Sequence, residues 1–135
     1  MFSEPVRSSS QISSNKRVKD WDSAKRILSR LDPDDCSFII FENANRNYIQ
    51  CAGSKDGLTV EARIYENGEQ FKHYRFGRRK RSGKRVKIDC FCGPIRVDKT
   101  ELLTLEDAEA IMQQFLEDGT FHHSYVATVL SEKYE

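Results

Sequence analysis

The sequence predicts an α+β domain with an N-terminal helix, an antiparallel β-meander of five or six strands, a second helix and a C-terminal strand. Three observations predict this class. Two segments carry apolar residues at helical spacing, the segment between them alternates apolar and polar residues, and turn signals divide it into short strands. Helices at both ends of such a meander pack on one face of its sheet. A chain of 135 residues is expected to build one core and therefore one domain.

The N-terminal part of the chain is polar and rich in serine. We therefore expect a flexible arm over residues 1–19 and a single α+β domain over residues 20–135. Asp20 suits the N-cap of the first helix, and Pro33 ends that helix because it disfavours helical geometry at the preceding residue. The buried stripe of the helix consists of Trp21, Ala24, Ile27, Leu28 and Leu31.

The strands of the meander are predicted from alternation and from turn residues. Residues 58–65 alternate most cleanly, with Glu61 and Arg63 on the outward side. Asn67-Gly68 is a strong hairpin signal, because both residues accept the positive φ of a type I′ turn. The predicted strands cover residues 36–43, 48–53, 58–65, 69–77, 85–92 and 93–98.

The second helix and a final strand complete the domain. Thr104 followed by Asp107 resembles a capping box, and Gly119 is a suitable C-cap. Residues 121–131 are predicted as the C-terminal strand. The buried stripe of the second helix consists of Leu105, Ala108, Ile111, Met112 and Phe115.

Charge is distributed unevenly along the chain. Residues 78–87, called the basic segment below, carry seven cations and no acidic residue, so that the net charge of +1 leaves +1 − 7 = −6 for the rest. We interpret this segment as a hairpin tip between the strands 69–77 and 85–92. Its cations are Arg78, Arg79, Lys80, Arg81, Lys84, Arg85 and Lys87.

Three interpretations of the basic segment are open. Its cations can neutralise nucleic-acid phosphates while the nearby aromatics stack on bases, namely Phe71, Tyr74, Phe76 and Phe91. Alternatively, its arginines can pair with the carboxylates of an acidic protein, with Tyr65, Tyr74 and Phe76 as apolar anchors. The third interpretation is a solvent-exposed tip that keeps two strands from pairing with neighbouring molecules.

The sequence carries no catalytic signature. A phosphate-binding glycine loop, a nucleophile elbow and an H-E-x-x-H motif are all missing, so we expect neither enzymatic activity nor a cofactor. The chain also has no apolar run of about 18 residues and no secretory signal, which favours the cytoplasm and no membrane contact.

The four cysteines fit no zinc-binding spacing and are expected to pack as small apolar side chains. A metal site completed by His73 or by His122-His123 is the alternative, and a disulfide is another. The cysteines are Cys36, Cys51, Cys90 and Cys92.

Several segments resemble a known class of proteins. The stretch "FIIFENANRNYIQCAGSKDGLTVEARIYENGEQFKHYRFG", then "GPIRV" and "ELLTLEDAEAIMQQFLEDG", is similar to the immunity proteins of bacterial polymorphic and contact-dependent toxin systems. The resemblance spans about residues 21–130 and implies a non-catalytic inhibitor that binds one cognate toxin domain. The basic segment is the preferred contact. The alternative contact is an acidic cluster made of Asp32, Asp34, Asp35 and Glu42.

Overall fold

The structure is a computed structural model that describes residues 2, 5–10, 15–32, 37–89 and 93–133. These residues form an α+β fold, as the sequence predicts. In chain order the elements are β1 (Val6–Ser10), β2 (Lys16–Val18), α1 (Trp21–Leu28), β3 (Phe38–Asn43), β4 (Tyr48–Ser54), β5 (Gly57–Asn67), β6 (Gln70–Gly77), β7 (Arg85–Ile88), β8 (Ile95–Asp98), a 3₁₀ helix (Lys99–Glu101), α2 (Leu105–Asp118) and β9 (Val126–Lys133).

The described strands form two antiparallel sheets. The large sheet has seven strands in the order β2-β1-β3-β4-β5-β6-β9, and β7 pairs with β8 in a separate small sheet. The β3-β4-β5-β6 part is a meander of four strands and not of five or six as predicted, because β7 and β8 pair with each other outside this sheet. Strands from both ends of the chain flank it, with β1 beside β3 and β9 beside β6.

The helices and one face of the large sheet share a hydrophobic core. Phe41, Ile49 and Ala62 are cross-strand neighbours on β3, β4 and β5, and each is fully buried. Leu28 of α1 and Ile111 of α2 belong to the same cluster. Alternation places the remaining strand residues on the opposite face, which we call the polar face.

Three of the four helix ends agree with the sequence prediction, whereas α1 ends at Leu28, before the end predicted at Pro33, which lies outside the described residues. The Asp20 side chain accepts a hydrogen bond from the Ser23 backbone N–H at 2.9 Å, as an N-cap does. Thr104 and Asp107 form a capping box at the start of α2, and Gly119 ends that helix with a φ of 77°.

The predicted element order is incomplete at its N-terminal end. Within the segment predicted as a flexible arm, β1 and β2 pair with each other, and β1 also pairs with β3. Val6 and Val18 face the core and are 2% exposed. Each strand thus has a single buried valine among mainly polar residues, which gives too little alternation for a strand prediction.

The basic segment is not the tip of a hairpin between its two flanking strands. One edge of β6 pairs with β5 and the other pairs with β9, so no edge is left for β7. The chain therefore leaves the large sheet after Gly77 and enters the small sheet at Arg85. A Cβ at Gly77 would lie 3.1 Å from the Thr100 carbonyl oxygen, which shows how closely the chain passes the 3₁₀ helix here. The basic segment therefore connects two sheets.

Two local predictions also need correction. The β5–β6 turn consists of Gly68 and Glu69 between the paired residues Asn67 and Gln70, and only Gly68 has a positive φ, of 60°. A type I′ turn centred on Asn67-Gly68 is therefore wrong, although the hairpin itself is present. The C-terminal strand begins at Val126, five residues later than predicted from 121–131.

Candidate functional site

All seven cations of the basic segment are exposed: five lie on the connection between β6 and β7, and Arg85 and Lys87 lie within β7. Two of them are paired: Arg78 with Asp107 at 2.6 Å, and Arg81 with Glu101 at 2.7 Å. The others form no ion pair with any residue that the structure describes. These unpaired cations are Arg79, Lys80, Lys84, Arg85 and Lys87.

Backbone hydrogen bonds fix both ends of the connection. The Arg78 N–H donates to the Thr100 carbonyl oxygen at 3.0 Å, and the Lys99 N–H donates to the Lys84 carbonyl oxygen at 2.7 Å. Both bonds join the connection to the short stretch around the 3₁₀ helix. The exposed cations therefore stand on a backbone that is held at both ends.

Asp98 fixes the middle of the connection. Its carboxylate accepts hydrogen bonds from the backbone N–H of Ser82 at 3.0 Å, of Gly83 at 2.8 Å and of Thr100 at 3.0 Å, and from the Thr100 hydroxyl at 2.7 Å. Burial alone would raise the pKa of Asp98, but these hydrogen bonds outweigh it and hold the pKa well below its ordinary value. Asp98 therefore remains a carboxylate and organises the loop as its anionic centre.

The buried side chain of Glu101 binds the connection through hydrogen bonds. It is 1% exposed and accepts hydrogen bonds from the Arg81 side chain at 2.7 Å and from the Asp98 backbone N–H at 3.1 Å. The guanidinium of Arg75 approaches it at 3.7 Å from β6. A buried carboxylate thus joins the large sheet to the loop.

Asp107 anchors Arg78 at the start of α2. Its carboxylate also closes the capping box with Thr104 and accepts a hydrogen bond from the Tyr125 hydroxyl at 2.7 Å. Burial alone would raise the pKa of Asp107, whereas hydrogen bonds from Thr104, Arg78 and Tyr125 lower it below the ordinary value. Burial and the bond to Asp107 raise the pKa of Tyr125 to about 12.

Two clefts adjoin the connection. One, of about 390 Å³, is lined by the cations Arg78, Arg79, Lys84 and Lys99 and by the apolar Leu102. The other, which we call the arginine cleft, has a volume of about 270 Å³ and lies beside Asp98. The arginine cleft is lined by Arg75, Arg81, Arg85 and Arg96.

A buried polar network on the polar face leads to the arginine cleft. Glu61 accepts hydrogen bonds from Arg75 at 2.8 Å and contacts the Nε2 of His73 at 2.6 Å. The Nδ1 of His73 accepts from the Arg63 side chain at 3.3 Å, so Nε2 carries the proton that it donates to Glu61. Burial alone would raise the pKa of Glu61, but the bonds from His73 and Arg75 hold it below its ordinary value.

Arginines stack on aromatic rings beside this network. The Arg63 guanidinium lies 4.0 Å from the centre of the Phe71 ring and 5.7 Å from that of Tyr48. The Arg46 guanidinium lies 4.3 Å from the centre of the Tyr65 ring. Arginine and tyrosine are the residue types that most often dominate protein–protein binding energies.

The predicted aromatic anchors do not form one surface. Tyr65 is half-buried on the polar face, whereas Tyr74 and Phe76 lie on the side of β6 that faces the core. Phe76 is fully buried, with its ring centre 4.9 Å from that of Phe121, and so it cannot serve as a surface anchor. Its burial reflects the addition of β9 and of the 119–125 connection over this end of β6, which local alternation does not reveal.

Several contributors to the site were not predicted from the sequence. Arg75, Arg96 and Lys99 reach the two clefts from separate elements, and Glu101 is buried despite its charge. Isolated charged residues usually face solvent, so only the tertiary structure reveals this convergence.

The acidic cluster predicted as the alternative contact is described only in part. Asp34 and Asp35 lie outside the described residues. Glu42 is exposed on β3, where it lies directly opposite Arg7 of β1, so its negative charge faces a neighbouring cation.

The predicted alternatives of a metal site and a disulfide can be judged only in part. Cys51 is buried, whereas Cys36, Cys90 and Cys92 lie outside the described residues. Across the described ranges, no three His, Cys, Asp or Glu side chains are arranged to hold a metal ion. His122 and His123 stack with their ring centres 5.1 Å apart, in the connection before β9 and not within a strand as predicted. Among all the residues that the structure describes, no helix is long and apolar enough to cross a membrane.

Comparisons with protein-family models, with curated proteins and with solved structures found no match to this chain. The chemistry of the site must therefore be inferred from its own residues. Guanidinium and ammonium groups that have no carboxylate partner among the described residues can bind anionic oxygens, either of carboxylates or of phosphates. The arrangement is thus suited to recognition of an anionic surface.

Proposed function

We propose that this chain is an immunity-type protein that binds and neutralises a cognate bacterial toxin domain in the cytoplasm, without catalysis. The observation that carries the proposal is a set of exposed cations, unpaired among the described residues, on a connection fixed by Asp98 and Glu101. Because such a loop is already ordered, little conformational entropy is lost when it binds a partner. The resemblance of the sequence to immunity proteins supplies the class of partner.

Arginine geometry favours an acidic patch on the toxin domain. A guanidinium pairs with a carboxylate through two parallel hydrogen bonds, which gives both affinity and orientation. Arg79 and Lys80 are adjacent exposed cations of the connection that form no ion pair with a described residue, and we assign them the main partner contact. Opposite charges across the interface also accelerate association.

The polar face extends this contact surface. Arg75 belongs to the Glu61 network and also lines the arginine cleft, so the two regions are continuous. Tyr48, Phe71 and the stacked Arg63 offer partly buried aromatic surface next to that network. We expect this surface to supply the apolar part of the interface, in place of Tyr74 and Phe76.

The test begins with the gene beside the one for this chain. We expect an open reading frame directly upstream whose C-terminal domain stops growth when expressed alone, and growth is restored when this chain is co-expressed. Arg79→Glu together with Lys80→Glu should abolish the rescue. The matched control is Lys25→Glu with Arg26→Glu, which reverses the same two charge types at exposed positions on α1.

Two results would contradict the proposal. One is a gene with no toxin-like neighbour. The other is a reversed-charge variant at Arg79 and Lys80 that is folded and still protects cells as well as the control does.

Nucleic-acid binding is the second candidate, and the cations lining both clefts favour it. It is weakened by the position of the aromatics that were predicted to stack on bases. Tyr74 contacts Phe121, Phe76 is buried, and Phe91 lies outside the described residues. Titration with random-sequence DNA and RNA at low salt tests this candidate, since phosphate contacts are strongest there. Absence of binding under those conditions would refute it.

A further inference from the structure

Four guanidiniums from three parts of the fold converge on the arginine cleft. Arg75 comes from β6, Arg81 from the connection, and Arg85 and Arg96 from the small sheet. Arginine is the side chain best matched to tetrahedral and planar oxyanions, because its N–H groups form a rigid fork. The Asp98 carboxylate also lines the cleft, but the four guanidiniums outnumber it, so the cleft favours anions.

Buried carboxylates orient two of these guanidiniums. Arg75 uses its Nε and one terminal nitrogen to donate to Glu61, at 3.0 and 2.8 Å. Arg81 donates to Glu101 through its Nε at 2.7 Å. Each guanidinium has five N–H groups, so both retain unused donors while their planes are held in place.

The other two guanidiniums share one side of the small sheet with a third cation and one carboxylate. Lys87 is directly opposite Arg96 across the β7–β8 pair, and Arg85 is directly opposite Asp98. The three cations are exposed, and none forms an ion pair with a described residue. Like charges directly opposite each other destabilise a sheet. A bound anion would offset this repulsion.

We propose that the arginine cleft binds the phosphate group of a small phosphorylated molecule. The cleft volume of about 270 Å³ lies just below the range of roughly 300–1,000 Å³ that is usual for ligand pockets, so the ligand is a compact one. A phosphate dianion offers several oxygens to the four guanidiniums, whereas a single carboxylate offers only two. This proposal does not rest on the proposed function, since the partner contact there is assigned to Arg79 and Lys80.

The experiment uses inorganic phosphate and pyrophosphate as probes of the full chain. At low salt, pyrophosphate should raise the melting temperature and bind in calorimetric titration, more tightly than acetate at equal concentration. The site variant is Arg85→Ser with Arg96→Ser, and the matched control is Arg79→Ser with Lys80→Ser. Both remove two exposed positive charges, so general electrostatic attraction falls equally in the two.

The site variant should bind pyrophosphate roughly a hundredfold more weakly than wild type, about tenfold for each guanidinium that no longer donates to the anion. The control should bind within a few fold of wild type. Arg85→Lys with Arg96→Lys keeps the charge but removes the forked geometry, and it should also bind more weakly than wild type. Both variants should fold normally, because Arg85 and Arg96 are exposed.

Three outcomes would overturn this inference. They are an equal loss in the site variant and the control, no binding of pyrophosphate at low salt, and binding of oligonucleotides without binding of phosphate or pyrophosphate. The last outcome would assign the cleft to a nucleic-acid backbone. If pyrophosphate does not bind but the chain still protects cells from the toxin domain, the toxin proposal stands. If that proposal is correct, the Arg85→Ser, Arg96→Ser variant should also protect cells.

Discussion

Replacing Glu101 by alanine tests whether a buried carboxylate holds the basic segment in place. The substitution removes the acceptor for Arg81 and for the Asp98 backbone N–H, and also one of the two carboxylates beside Arg75. It leaves the exposed cations unchanged. We expect a large decrease in the free energy of unfolding, although Glu101 lies in a 3₁₀ helix of only three residues.

The expected decrease in the free energy of unfolding is the sum of the contributions from the three partners of Glu101. The Arg81 side chain is 42% exposed and can return to water, which limits its share to about 0–1 kcal/mol. The Asp98 N–H loses its acceptor in a buried position, at about 1–3 kcal/mol. Arg75 keeps Glu61 as a partner, so its share lies below the roughly 3–5 kcal/mol of a fully orphaned buried charge. The total is about 3 kcal/mol.

Denaturant unfolding of the wild type and of Glu101→Ala measures this loss directly. A fall of about 3 kcal/mol corresponds to roughly 10 °C in melting temperature for a domain of this size. The matched control is Glu69→Ala, which removes a carboxylate paired with Arg46 where both side chains are about half exposed. That control should lose only about 0–1 kcal/mol. Equal losses of unfolding free energy in the two variants would refute the role of buried Glu101 in holding the basic segment.

Three further predictions concern other parts of the fold. Phe76→Ala should destabilise the domain by about 3–5 kcal/mol in denaturant unfolding, since the ring is fully buried; a loss below about 1 kcal/mol would contradict its burial. Because the folded-state pKa of Glu61 lies below its ordinary value of 4.5, Glu61 stabilises the fold above that pH, and this contribution is lost as the pH falls through the folded-state pKa. Stability measured from neutral to acidic pH should therefore fall less steeply in Glu61→Gln than in wild type. The raised pKa of Tyr125, about 12, gives stability that is complete below the ordinary value of 10.0 and is lost as the pH rises through 12. Tyr125→Phe should abolish this alkaline loss, and an unchanged alkaline profile would contradict the bond to Asp107.

Local patterns predict the helices and the central meander because the determining interactions are close in sequence. The Asp20 cap and the Thr104–Asp107 box involve residues three positions apart, and the alternation of β5 is set by its own residues. The β5–β6 hairpin needs only a two-residue turn. Such features follow from side-chain periodicity and turn chemistry.

Non-local pairing accounts for what the sequence did not predict. Strand β1 pairs with β3 across the whole of α1, and β9 pairs with β6 across α2 and the small sheet. Nothing in the local pattern of β6 shows that β9, and not β7, will occupy its edge. The error in the basic segment has the same origin, since a hairpin is expected when consecutive strands pair.

The candidate site was partly accessible from the sequence. The cations of the basic segment and their exposure follow from composition alone, because runs of arginine and lysine are rarely buried. Their fixation by Asp98 and Glu101, and the approach of Arg75 and Arg96, depend on the packing of the small sheet beside the large one. A run of arginines and lysines has the same sequence whether it forms a flexible loop or an ordered binding surface, so sequence alone does not distinguish the two.

The affinity of this chain for the toxin domain that we propose is encoded beside it tests the central claim most directly. Calorimetric titration should show tight binding by wild type and by the Lys25→Glu, Arg26→Glu control. The Arg79→Glu, Lys80→Glu variant should bind at least about a hundredfold more weakly, since close charge pairs at interfaces are worth about 1.5 kcal/mol or more each. Equal affinities of the two folded variants would contradict a role for the basic segment in partner binding.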